Sequence, residues 1–548
     1  MEVIIPIAAL AAGVVSHLGY FRIGEHHLYS SLYALASISA FALAIVVHAY
    51  VFELSTRDAA LRTLSIATSY FTGLYSSLVI YRLFFHPLRE FPGPLGCKVS
   101  SAWFATYLTR LDAFKQLTKL HKEHGNFVRV GSNDLSIVHP KAVQAIYGLG
   151  SKCLKGDWYD LTYPTMSLQT ARDDNLHSRW RRVWSGAFGE RSLQDYEERM
   201  FQYRALLVKV IEDSAGSPID MTKLFSYYNY DVMGELAFGR SFDMLGTNKE
   251  NEAIKLYTTG TVVLGLKLPM WFFRLLTGIP GATKSWWAFK NYCTAQLNNR
   301  MQDLKRKGDK RDIIGSLLNH FDVKGPTGFD RVLLEGDAQL VIVAGSDTVA
   351  TTSISIFRYL AQYPHHVGIL RTEIDPLRRT EQGNYIYTDL SNLKHLNGVI
   401  NEALRLFPPV PTVLPRVTPP EGLDIDGTFI PGRTTVFCPQ FVIGRGSESY
   451  ASPDEFIPER WYSQPELIRD ASGFAPFSAG SYNCVGRPLA LLSIRAVVAR
   501  IIADYDIRAT PIENLLAYDE GVKEYFTLIP PELKLSFVKR QVPEPQSK

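Results

Sequence analysis

The chain has 548 residues, of which 46% are hydrophobic and 12% aromatic, and its 58 Lys and Arg against 54 Asp and Glu leave a net charge of +4. A chain this long can bury a large core, and so mild a charge excludes the basic stripe of a nucleic-acid-binding protein, so no nucleic-acid partner is expected. Five scattered cysteines (Cys97, Cys153, Cys293, Cys438 and Cys484), with no Cys-x-x-Cys pair, exclude a disulfide framework or a zinc-ribbon pattern and suit a reducing compartment.

Apolar stretches at residues 3–20, 32–52 and 64–85 open the chain. Each approaches the length of about 20 residues that crosses a hydrocarbon core as a helix. A cleaved secretory signal is the rival reading of the first stretch. Glu2 in place of a basic start, and two more apolar stretches behind it, argue against that. Residues 1–90 are therefore expected to be a membrane anchor with up to three transmembrane helices, with membrane lipid as a partner. Arg82, Arg89 and Lys98 follow the third stretch, which places the rest of the chain on the cytosolic side. Phe91-Pro92-Gly93-Pro94 stops any helix and stiffens the chain, a hinge at the start of a large domain over residues 91–548.

Helical patterns dominate beyond the hinge. Short strand-like runs fall at 127–130, 135–138, 423–436 and 533–538, and Asp426-Gly427 marks a tight turn in the third. The tail 541–548 is expected to be unstructured. The expected fold class is mainly α with a small β-sheet region.

Several segments carry candidate chemistry. His177 and Arg181, in His-Ser-Arg-Trp-Arg-Arg, lie one turn apart on a predicted helix and share a face, which is either a solvated basic patch or an anion site. Residues 331–359 read as one long helix centred on Ala344-Gly345-Ser346-Asp347-Thr348. Glycine inside a helix costs up to about 1 kcal/mol against alanine, so small residues there suggest room for a ligand. Asp347 and Thr348 add an acid and a hydroxyl suited to proton delivery. Glu402 and Arg405 pair three apart on a helix that ends at Pro408-Pro409-Val410-Pro411. Arg416 follows Leu414-Pro415, and Pro458-Glu459-Arg460-Trp461 comes later.

Phe477-Ser-Ala-Gly-Ser-Tyr-Asn-Cys484-Val-Gly-Arg-Pro-Leu-Ala490 sets one cysteine in a glycine-punctuated loop ahead of a leucine-rich helix. Gly480 and Gly486 let backbone approach a flat ligand. Backbone N–H groups and the helix start can hold the sulfur as an anion, as haem iron requires. An inert buried thiol is the bland alternative.

This last segment resembles the haem-binding loop of the cytochrome P-450 superfamily, Phe-x-x-Gly-x-Arg-x-Cys-x-Gly. Phe477, Gly480, Cys484 and Gly486 are in register, and Tyr482 stands where the family usually has arginine. The other segments resemble further family motifs in the right order, and the likeness covers nearly everything after residue 90. It implies the cytochrome P-450 fold behind N-terminal transmembrane helices and a heme b whose iron is axially ligated by Cys484. It implies that Thr348 donates to dioxygen while Asp347 relays protons. His177, Arg181 and Arg416 become propionate partners, all the more needed because Tyr482 carries no charge. Glu402, Arg405 and Arg460 become a buried structural cluster that fixes the loop before Cys484. The Trp158 to Tyr163 stretch falls where the family's substrate loop begins.

The implied function is a haem-thiolate monooxygenase that oxidises an apolar small molecule, with electrons from an NADPH-cytochrome P-450 reductase at the endoplasmic reticulum membrane. The multiple N-terminal spans and the segment from Pro415 to Gly422 resemble fungal members of secondary metabolism. A haem-thiolate isomerase or dehydratase that needs no O2 is one rival, and Asp347-Thr348 argues against it. A non-catalytic membrane haem-binding protein is another, and it leaves Cys484, Glu402 and Arg460 without a shared explanation.

Overall fold

The computed structural model describes residues 4–108, 110–307, 312–321, 328–412, 414–509 and 513–541; the expected tail 541–548 lies outside them but for Gln541. Its longest helix, Gly328–Gln362, has little amphipathic character, and a helix that is apolar on most sides belongs in a core. Leu333, Leu334, Ile342, Ile354, Ile356, Phe357 and Leu360 are all buried along it. Helix Met221–Phe238 runs alongside, with Phe225 stacked on Phe357 at 5.2 Å. Helices Lys394–Leu406 and Arg487–Asp504 join the same core.

A five-stranded sheet flanks this helical body. Its order is Phe127–Arg129, Asp134–Ile137, Thr435–Phe437, Arg416–Val417 and Leu154–Lys155. Asp134–Ile137 and Thr435–Phe437 pair in parallel and the other neighbours antiparallel. Leu423–Ile425 and Thr428–Ile430 form a separate hairpin. Its turn residues Asp426 and Gly427 have φ of 51° and 83°, the positive pair that the two-residue turn demands. Lys534–Lys539 pairs with Tyr505–Ala509 and Ile219–Asp220. The expected strands at 127–130, 135–138 and 533–538 are present with ends shifted by a residue, and the run 423–436 resolves into the hairpin plus the start of Thr435–Phe437.

The N-terminal region is three helices, Ile4–Ser16, Ser30–Tyr50 and Thr56–Ile80. Ile4–Phe21 and His27–Tyr50, with mean hydropathy 1.8 and 2.0, are long and apolar enough to cross a membrane. Gly328–Gln362 also meets that measure, but its apolar window is 67% buried inside the protein, so it is a core helix. Thr56–Ile80 starts earlier than the expected stretch at 64 and takes in Arg57, Asp58 and Arg62, which lowers its hydropathy. It runs parallel to the first helix and very close, with His17 Nδ1 2.8 Å from Ser77 Oγ. A Cβ on Gly13 would meet the Tyr70 carbonyl at 2.0 Å, and one on Gly73 the Leu10 carbonyl at 2.0 Å. Small residues at such crossings are how helices pack in lipid.

The loop between the first two helices docks on the large domain. His27 Nε2 lies 2.8 Å from Asp160 Oδ2. Arg172 forks onto Glu25 at 2.7 and 2.8 Å and also donates to Asp160 at 2.5 Å.

Candidate functional site

Among the five cysteines only Cys484 is exposed; the other four are free and buried. Its loop is closed by its own N–H donating to the Phe477 carbonyl at 2.9 Å. Gly480 has φ +61°, and a Cβ there would lie 2.3 Å from the Tyr147 carbonyl, so this close approach requires glycine. Desolvation raises the Cys484 thiol pKa. Backbone N–H groups of Gly486 and Arg487 and the charges of Arg181 and Arg487 oppose that rise without cancelling it. A thiolate here therefore calls for one further strong positive charge, which a coordinated metal ion supplies outright.

Beside Cys484 lies an unusual concentration of cations. The sheet register sets Lys155 directly opposite Arg416, a cross-strand pair of like charges that is destabilising when nothing else intervenes. Both are buried, at 5% and 2% exposure. The Tyr482 ring sits between them, 4.8 Å from Lys155 Nζ and 4.9 Å from the Arg416 guanidinium. Lys155 Nζ donates to the Leu168 and Ala171 carbonyls, and burial drives its ammonium well below the ordinary lysine range. Arg416 donates to the Tyr159 hydroxyl, while its Nε is buried without a partner.

His177 packs its ring on Tyr482, with centroids 4.4 Å apart, and its Nδ1 is likewise buried and unpartnered. Burial, then the charges of Lys155, Arg181 and Arg416, push its imidazole down to about 3. Arg181 grips Asn483, the residue before Cys484, through its carbonyl and its side-chain oxygen. Tyr482 donates to Asp174 at 2.9 Å. A dianionic pair of carboxylates is what this cluster of cations and orphaned nitrogens fits, and haem carries two propionates.

The central helix brings the second group. Ala344 is exposed and Thr348 partly so in the middle of a core helix, which marks an open face there. Gly345 itself faces the neighbouring helix, where a Cβ on it would meet Met233 Cε at 2.6 Å. The open face thus lies at Ala344 and Thr348. Thr348 donates to the Ala344 carbonyl at 2.7 Å. Asp347 accepts from the Tyr230 hydroxyl at 2.7 Å, and desolvation lifts its carboxyl to about 6 against the pull of Tyr230 and Tyr257.

The third group is a buried ion cluster. Glu402 accepts from Arg405 at 2.7 and 2.9 Å, Arg460 at 2.9 Å, the Ile457 N–H at 2.9 Å and the Trp461 indole at 2.9 Å. Both guanidiniums spend their remaining donors on main-chain carbonyls, Arg405 on Gly444, Pro453 and Glu455, Arg460 on Ala451, Ser452 and Leu467. The chain leading to the Cys484 loop is pinned by this cluster. Trp461 in turn packs at a tilt against Phe474, ring centroids 4.5 Å apart, just before Phe477.

Four residues escaped the sequence reading. Lys155 sits on a two-residue strand with no periodicity, and Asp174 is an ordinary first-turn acid. Asp337 accepts from the Trp180 and Trp184 indoles and the Leu168 N–H, tying the His177–Arg181 helix to the central one. The signal for it was a fully buried acid on the core helix, opposite a Trp-x-x-x-Trp pair. Trp461 was in view as part of Pro-Glu-Arg-Trp but without its bond to Glu402.

The family model described as Cytochrome P450 matches residues 94–537. The chain is 44% identical over 517 residues to the cytochrome P450 monooxygenase notG' of Aspergillus versicolor, covering 94% of each protein. It is 42% identical over 522 residues to the tryprostatin B 6-hydroxylase of Aspergillus fumigatus, covering 94% of this chain and 93% of that one. The cytochrome P450DA heme domain superposes with a TM-score of 0.67 at 17% identity, over 80% of this chain and 95% of that domain. The cofactor is haem with cysteine-thiolate ligation. The chain belongs to the cytochrome P450 family and is an oxidoreductase that incorporates oxygen into a small molecule.

Proposed function

We propose that Cys484 would hold the haem as thiolate, that Lys155, His177, Arg181, Arg416 and Tyr482 would receive its propionates, and that Asp347 and Thr348 manage protons at the open side of the central helix. The observation that carries this is the Lys155–Arg416 pair. Two cations opposed on buried strands beside the one open cysteine are explained by an anionic ligand whose metal reaches Cys484. Bound haem supplies activation of dioxygen. The chain's own residues do the rest: Arg181 holds the loop through Asn483, and the Glu402 cluster fixes its approach. The Thr348 hydroxyl can turn from the Ala344 carbonyl towards the open face, and Asp347 can be reprotonated past Tyr230 and Tyr257.

Electrons come from an NADPH-dependent reductase, since the chain carries no nicotinamide or flavin fingerprint. The anchor is proposed to span three times. The loop at residues 22–29 touches the same domain into which Thr56–Ile80 leads, so the two helices in between must go out and return. The domain then faces the cytosol from the endoplasmic reticulum. The substrate is an apolar secondary metabolite, and tryprostatin B is the first to assay.

Cys484→Ala should abolish the red-shifted Soret band of the reduced carbon-monoxide complex. Retention of that band removes Cys484 as ligand. Product formation from tryprostatin B or a related compound that requires both reductase and NADPH supports the monooxygenase; turnover without either favours an isomerase.

A further inference from the structure

A second cluster of ligating groups lies outside the Cys484 loop. His366 is on helix His365–Ile374, His395 on helix Lys394–Leu406, and Glu459 on the turn Pro458–Trp461. The two histidines are 2% and 1% exposed. Each of the three residues offers one ligand atom, and these atoms all lie within 4.8 Å of one another. His366 Nδ1 is 3.6 Å and His395 Nδ1 3.9 Å from the same oxygen, Glu459 Oε1.

The hydrogen bonds around the cluster make these separations informative. His366 Nδ1 is buried without a hydrogen-bond partner, and the Glu459 carboxylate faces it. With the ring proton on Nε2, its lone pair meets that carboxylate. Two acceptors pointed at each other in a buried place repel unless a proton or a metal ion lies between. His395 has its Nδ1 3.0 Å from the Tyr462 hydroxyl, and its Nε2 is buried and unpartnered.

We propose that His366, His395 and Glu459 bind Zn2+, cross-linking two helices and the turn that carries Arg460. Two imidazoles and a carboxylate suit zinc, with bonds of about 2.0–2.2 Å and neighbouring ligands therefore about 3.3–3.5 Å apart. The two His–Glu separations, 3.6 and 3.9 Å, are close to that spacing, and all three atoms, within 4.8 Å of one another, would draw together on binding. Tyr462 turns aside from His395 Nδ1, and Glu459, partly exposed, leaves a fourth position for water. The site is independent of haem and of the oxygenation reaction.

The test is a zinc titration of full-length haem-loaded protein, stripped with chelator and read by competition with a chromophoric chelator. One zinc per chain is expected, beyond the haem iron. His366→Gln and His395→Gln should each weaken binding by more than about 100-fold, exceeding the 10–100-fold of an outer partner. His365→Gln, on the exposed neighbour, should leave it unchanged. An undisturbed carbon-monoxide spectrum certifies that each variant is folded. Cobalt(II) in the wild-type chain should show the intense visible bands of a tetrahedral site, a readout that needs no variant. Failure of wild-type protein to take up one zinc, six-coordinate cobalt spectra, or equal affinity in the His366→Gln, His395→Gln double variant overturns the proposal.

Discussion

Asp347 lies under the Tyr230 hydroxyl with its carboxyl lifted to about 6, mainly by desolvation. The folded chain therefore holds a proton there that the unfolded chain, at about 3.9, has released. Between those values stability falls as pH rises, and above about 6 the full penalty of a buried carboxylate remains, on the order of 2–3 kcal/mol. Asp347→Asn keeps an acceptor for Tyr230 and removes the titration. Its urea midpoint should gain on wild type as pH goes from 5 to 7.5, while turnover per NADPH falls. A constant difference across that range would mean that Asp347 is not desolvated as described. At Glu402, truncation to Ala strands Arg405 and Arg460, and about 3–5 kcal/mol of lost stability is expected, read as reduced haem incorporation and an earlier urea midpoint. Cys484 and Glu402 were legible because each stands at a fixed spacing from other diagnostic residues. Lys155 was not, because its meaning comes from the strand register with Arg416, which no local pattern encodes.

Helix Asp174–Gly186 carries His177 and Arg181, and its position rests on Asp337 of the central helix. Trp180 and Trp184 are one turn apart, so both indoles reach the one carboxylate, Trp184 at 2.9 Å. Asp337→Asn puts an NH2 group against an indole N–H. Each donor left without an acceptor costs about 1–3 kcal/mol. The variant should lose haem more readily than wild type in a transfer assay to apomyoglobin; unchanged haem retention would show that this tie does not position the helix. The long helices were readable from apolar content and from proline stops such as Pro408. Leu154–Lys155 and Arg416–Val417 were not, since two residues have no period, and Tyr505–Ala509 continues from a helix with no breaker between. Within the small-residue stretch the open side is at Ala344 and Thr348, while Gly345 packs on Met233 of the neighbouring helix, a division that local sequence does not encode.

For the whole molecule, three helices, two loops and one domain must share a single arrangement about the bilayer. The docking of Glu25 and His27 onto Arg172 and Asp160 fixes the first loop to the domain's side. A cysteine placed at Gly24 should then react with a membrane-impermeant maleimide from the cytosolic face of microsomes, and one placed at Glu53 only after permeabilisation. Labelling of both from one face would sink the three-span arrangement. Hydropathy alone revealed two of these helices clearly; the third, with its charged start, takes its meaning from where the chain has to go next.

The same docking bears on how the enzyme is handled at the bench. Trimming such proteins at the hinge is an obvious route to soluble material, but here the cut would also remove the acid and the imidazole that Arg172 and Asp160 lean on. Asp160, desolvated yet held below the usual carboxylate range by His27 and Arg172, would lose half of that support. The Trp158 to Tyr163 stretch, which contains Asp160, also reaches through the Tyr159 hydroxyl to Arg416, the residue proposed to receive a propionate. A shortened enzyme should therefore keep its spectrum and yet grip its ligands differently from the membrane-bound one.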